Sequence, residues 1–117
     1  EKQTLEILKV LCYGAKIIIL DEPTASLDYG NTVMVLKQIK RLKELGLGVI
    51  MTTHNPDHTF LCDSRVALLS KDEPLKFGDA IDIVTEKNMK SAYGVDIEVI
   101  EYVNHRNERV RLCCPEM

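Results

Sequence analysis

The sequence predicts an α/β fold with a mostly parallel sheet and a C-terminal β-hairpin. Three observations carry this. Ile17, Ile18, Ile19 and Leu20 run straight into Asp21, Glu22 and Pro23. An unbroken Ile/Leu run reads as a strand buried on both faces, as in a parallel sheet. A stretch of helical period and a second apolar run follow, over residues 31–45 and 47–52. Strand, helix and strand at this spacing make a right-handed βαβ unit. Near the far end, residues 97–103 and 110–113 alternate on either side of Asn104, His105, Arg106 and Asn107, which is a hairpin pattern.

Taken in order, residues 1–13 place Leu5, Leu8 and Leu11 on one stripe with Ile7 beside it, so they read as an amphipathic helix stopped by Gly14. Residues 17–21 are the first strand, ended by Pro23, which has no amide hydrogen for a ladder. Residues 24–30 are expected as loop. In the helix over 31–45, Val35, Leu36, Ile39, Leu42 and Leu45 form the buried stripe, and Lys37, Lys40, Arg41 and Lys43 a solvated face. Gly46 stops it. After the strand at 47–52, residues 56–62 suggest a short helix and residues 65–69 a third strand. Lys71 to Pro74 signal a turn, with residues 75–77 returning as a short strand. Residues 79–84 and 86–93 read as two short helices, the second ended by Gly94. Arg106, Arg109 and Arg111 are expected on a solvated strand face.

At 117 residues the chain is long enough for one domain with a modest core. Residues 1–70 hold the two central strands, and 71–117 the closing helices and hairpin. A net charge of −3 gives no sign of nucleic-acid or anionic-membrane binding. No apolar run reaches the ~20 residues of a membrane span, and the start shows no signal-peptide pattern. The chain begins with Glu1 and not Met, as expected of a fragment or processed chain. Cys12, Cys62, Cys113 and Cys114 make no C-x-x-C pair, so reduced thiols are expected and a zinc site is not. His54 and His58 stand four apart, but Asn55 occupies the glutamate place of an H-E-x-x-H site and Pro56 interrupts the helix.

Parallel sheets carry their chemistry beyond the carboxyl ends of the strands. Asp21 and Glu22 lie at that edge, and His54 follows the second strand onto the same edge. Side chains alternate along a strand, so one carboxylate can face a metal while its neighbour faces a water. Asp21-Glu22-Pro23-Thr24 followed by Ser26-Leu27-Asp28 resembles the Walker B motif and D-loop of ABC-type ATPases. The resemblance continues through Thr53-His54-Asn55-Pro56-Asp57-His58 and reaches Glu86-Lys87-Asn88-Met89-Lys90-Ser91-Ala92-Tyr93-Gly94-Val95-Asp96. The last segment is similar to the ATPase subunits of importers for iron–siderophore complexes, haem and cobalamin.

That resemblance implies a partial P-loop NTPase-like layered fold, the C-terminal half of such a subunit. It implies ATP and Mg²⁺ as cofactors, with Asp21 holding the metal through water, Glu22 as general base and His54 contacting the γ-phosphate. Ser26, Leu27 and Asp28 would face a second ATPase subunit. A membrane permease is the further partner, and the location is the cytoplasmic face of the inner or plasma membrane. The G-x-x-x-x-G-K-[ST] cradle that P-loops need appears nowhere in these 117 residues, and no segment matches the signature loop. The chain alone is therefore expected to bind ATP poorly. Two other readings stand beside this one. The first is a non-catalytic α/β domain acting through self-association or docking, and the second an unrelated doubly wound domain with a divalent-metal site at Asp21 and Glu22.

Overall fold

The computed structural model describes residues 16–117. The helix expected over 1–13, Cys12 and Gly14 lie outside the described residues. Two compact units divide the chain, one running to His54 and the other spanning Asn55–Met117.

In the first unit, β1 (Ile17–Asp21), α1 (Tyr29–Glu44) and β2 (Gly48–Thr52) follow one another. The strands pair in parallel from Ile17 opposite Gly48 to Asp21 opposite Thr52. Helix α1 begins two residues before its expected start, because the Asp28 carboxylate accepts the Asn31 amide at 2.7 Å and caps it. Val35, Leu36, Ile39 and Leu42 form its buried stripe. Leu42, 2% exposed, meets Ile18 beneath it, with Leu20, Leu47 and Val49 packed around the pair. Leu45 departs from the expected stripe and is exposed, since it is the C-cap. The chain reverses at Gly46 (φ 88°), and the Leu47 amide returns to the Leu42 carbonyl at 3.1 Å. Leu47, partly buried, packs against the Ile18–Leu42 pair.

The expectation of a strand buried on both faces is corrected. Strand side chains alternate, so Ile18 turns under α1 while Ile17, Ile19 and Ile50 point to the opposite face, with Ile19 75% exposed. Among the described residues, α1 covers one face of this strand pair.

The second unit holds α2 (Asp57–Leu61), β3 (Arg65–Ser70), β4 (Glu73–Asp79), α3 (Ala80–Ile83), α4 (Glu86–Tyr93), β5 (Ile97–Val103) and β6 (Arg109–Pro115). Its strands form two antiparallel pairs, β3 with β4 and β5 with β6. Parallel character is therefore confined to β1 and β2 among the described strands. The reason is chain length: parallel neighbours need a crossover of a dozen or more residues, which α1 supplies, whereas the links after β3 and β5 are short turns. Strand β4 starts earlier than expected and includes Pro74, which a two-stranded sheet tolerates at an open edge. Thr85 caps α4 by accepting the Asn88 amide, and Gly94 ends it at φ 72°.

Cys62, Ala80, Ile83, Val84 and Met89 are buried here. Polar bonds fasten α4 to β4: Lys76 Nζ donates to Asn88 Oδ1 at 2.9 Å and Ser91 to Glu73 Oε1, while Lys76 also reaches Glu73 Oε2 at 2.6 Å within β4. The expected solvated arginine face is found in part, with Arg109 82% exposed on β6 and Arg111 half-buried beside it. Arg109 and Arg111 both pair with Glu101 on the facing strand, at 3.6 and 2.9 Å, while Arg106 sits in the turn. Residues 101 and 111 are cross-strand partners, which places opposite charges side by side. No helix among the described residues is long and apolar enough to cross a membrane.

Candidate functional site

The parallel register ends with Asp21 beside Thr52, so both side chains leave the same edge of the sheet. The Thr52 hydroxyl donates to Asp21 Oδ1 at 2.6 Å. It also accepts the Glu22 amide at 2.9 Å. Glu22 takes a φ of 44°, in the left-handed region. For a residue with a Cβ this costs ~1–2 kcal/mol, and the Thr52 bond helps to hold it. Past Glu22, the Ala25 amide donates to the Glu22 carbonyl at 3.0 Å, closing a turn around buried Pro23. A second turn follows, with the Leu27 amide on the Thr24 carbonyl at 3.2 Å. Ser26 has φ 65° in that loop, and Asp28 begins α1 as its cap.

Turning at Glu22 aims its carboxylate toward the end of β2. His54 Nε2 lies 2.8 Å from Glu22 Oε1, with the two side chains 88% and 42% exposed. The structure thus gathers Asp21, Glu22 and His54 at one edge. Ser26 and Asp28 lie on the connecting loop, where the Asp28 side chain caps the helix. Thr52 belongs to this group, although in the sequence it is only the last residue of an apolar strand. Its signal lies in the pairing: a parallel register that sets Ile17 against Gly48 also sets Asp21 against Thr52.

The donor set suits a hydrated cation. With Oδ1 bonded to Thr52, Asp21 offers Oδ2. Among the described residues no three His, Cys, Asp or Glu side chains cluster as a metal cage. A cation here would take most of its ligands from water and phosphate, which is the usual mode for Mg²⁺. A nucleotide finds less: the sequence has no glycine-rich cradle for the phosphates.

The second unit's titratable groups serve other ends. His58 is buried in α2, and burial pushes its pKa below the ordinary value, with Asp57 acting in the opposite direction. Asp57 Oδ1 accepts the Cys113 amide at 2.7 Å. Burial, then the Asp57 charge and hydrogen bond, push the Cys113 thiol up to about 11. Burial likewise raises the Tyr93 phenol.

No protein-family profile matches the sequence. An uncharacterized ABC transporter ATP-binding protein of Haemophilus influenzae is 33% identical over 110 residues, covering 93% of this chain and 42% of that protein. The vitamin B12 import ATP-binding protein BtuD of Vibrio cholerae is 32% identical over 101 residues, covering 86% of this chain and 40% of that protein. Among solved structures, a metal-chelate type ABC transporter in an inward-facing conformation matches with a TM-score of 0.89 at 26% identity. It covers 98% of this chain, which in turn covers 45% of that one. The chain spans about two fifths of the length of these two curated relatives.

Proposed function

Starting from a chain whose relatives over most of its length are ATP-binding subunits of ABC transporters, we propose that it is the hydrolytic edge of such a subunit. In this reading Asp21 holds Mg²⁺ through water, Glu22 polarises the attacking water, and His54 meets the γ-phosphate. Bound Mg²⁺ supplies charge neutralisation on the phosphates. The water oxygen bonds to the γ-phosphorus as the bond to the β–γ bridging oxygen breaks. Glu22 takes the water's proton, and ADP and phosphate leave. Ser26, Leu27 and Asp28 face a second ATPase subunit, and a membrane permease receives the work on the cytoplasmic side. The cargo class proposed is a metal chelate or corrinoid, supported by the names of the vitamin B12 and metal-chelate relatives.

The observation that carries the reading is the 2.8 Å contact of Glu22 with His54, beside an Asp21 held by Thr52. Positioning a water and placing charge around a transferred phosphoryl group are what phosphoryl transfer asks of a protein. The 117 residues on their own lack the phosphate cradle, so the isolated chain is silent toward nucleotide in this proposal. Calorimetric titration with Mg-ATP tests that. No saturable heat up to millimolar nucleotide is expected. Saturable binding would mean that other residues replace the cradle, and Glu22→Gln would then be tested for lost turnover.

A second reading, a non-catalytic domain that acts by self-association or docking, draws on the exposed Ile17, Ile19 and Ile50. Light scattering separates the two: a concentration-independent monomer would count against this one.

A further inference from the structure

Thr52 stands between the two carboxylate residues of the site and bonds to each. A hydroxyl has one hydrogen and two lone pairs. Here the hydrogen goes to Asp21 Oδ1 at 2.6 Å, and a lone pair takes the Glu22 amide at 2.9 Å. The first bond fixes one oxygen of Asp21 and so sets the direction of the other. The second holds the backbone of Glu22 where φ is 44°. That backbone is the frame from which the Glu22 carboxylate reaches His54 at 2.8 Å. One side chain therefore sets the aim of both carboxylates, although Asp21 and Thr52 stand 31 residues apart.

We propose that Thr52 is a positioning residue, locking Asp21 and Glu22 into one arrangement at the sheet edge. The part concerning Asp21 rests on its reading as a cation ligand. Valine has nearly the same shape and the same preference for a strand, but it can make neither bond. Serine keeps the hydroxyl and loses only a methyl group. A role in strand packing needs the branched shape, whereas positioning needs the oxygen, so these two variants separate the alternatives.

The test uses the 117-residue chain as wild type, Thr52→Val and Thr52→Ser, followed by amide NMR. One readout is the exchange rate of the Glu22 amide with solvent, and the other is line broadening at Asp21 and Glu22 on adding MnCl₂ alone. Thr52→Val is expected to speed Glu22 exchange by about tenfold, the size of one lost hydrogen bond. It should also weaken the Mn²⁺ effect several-fold. Amides inside α1 should keep their wild-type protection, and Thr52→Ser should resemble wild type in both readouts. Unchanged exchange in Thr52→Val, or a Thr52→Ser that behaves as Thr52→Val does, overturns the proposal. If exchange responds as expected but Mn²⁺ broadens nothing in any variant, the positioning of Glu22 is supported and the cation reading of Asp21 fails. Should Thr52→Val not fold, Thr52→Ala against Thr52→Ser carries the same contrast.

Discussion

The two units of this chain are held by different means. In the first, β1 and β2 meet only because α1 carries the chain across, and the pair is clamped by Leu42 on Ile18. In the second, short turns close each strand pair, and polar bonds fasten the helices. Lys76, Glu73, Asn88 and Ser91 join α4 to β4, and Asp57 ties α2 to β6. The first unit thus spends its polar side chains at the strand ends, where they remain solvent-accessible. The second spends them on its own cohesion. Glu22 meets His54 at the end of its sheet, whereas Glu73 meets Lys76 along its own strand and Ser91 on the neighbouring helix.

The largest test of the comparison is Leu42→Ala. Truncating a buried leucine costs ~2–5 kcal/mol, and Leu42 is the side chain that closes the core cluster over β1. Urea unfolding followed through the amides of β2 should show a loss in the upper part of that range. Met89→Ala, at an equally buried position in the second unit, should lower the protection of α4 and β5 instead. If each substitution lowers both units equally, the units unfold together and the distinction between them is one of construction only.

Next in size is Asp57→Ala. It removes the acceptor of the Cys113 amide bond, a loss worth ~1–3 kcal/mol for a partly buried group. It also removes two of the three influences that push the Cys113 thiol up, leaving burial. Thiolate is the reactive form, so iodoacetamide at mildly alkaline pH should modify exposed Cys114 well before Cys113 in the wild type. In Asp57→Ala the gap should narrow. An unchanged order and rate, read by peptide mass spectrometry, would show that Asp57 does not govern this thiol.

Much of this was legible in the sequence because local rules settled it. Gly46 and Gly94 adopt the positive φ that ends a helix. The hairpin turn at Asn104 follows from its side chain, which accepts the Arg106 and Glu108 amides. The βαβ order alone places Asp21, Glu22 and His54 on one edge. Other features depend on partners distant in the chain. That Ile19 lies open while Ile18 is covered depends on where α1 lands. That Thr52 bonds to Asp21 depends on register, which apolar runs such as these leave unspecified. Arg111 reads as a free surface charge until the hairpin sets it opposite Glu101.

The smallest expected effect is one of pH, and it sharpens the contrast from the side of the second unit. Burial holds His58 below its ordinary value near 6.5, and Asp57 opposes this. In the unfolded chain the imidazole takes a proton near 6.5, but in the folded chain only at lower pH. Between those values the unfolded state binds more protons, so stability rises with pH there. The stabilisation is fully present above about 6.5 and is lost as pH falls through the folded value. His58→Gln should flatten that part of the acid limb in urea unfolding. Asp57→Ala removes the opposing influence, so the folded value drops further and the loss on acidification deepens. An identical acid limb in wild type and His58→Gln would assign the titration to another group, and would leave His58 a packing residue only.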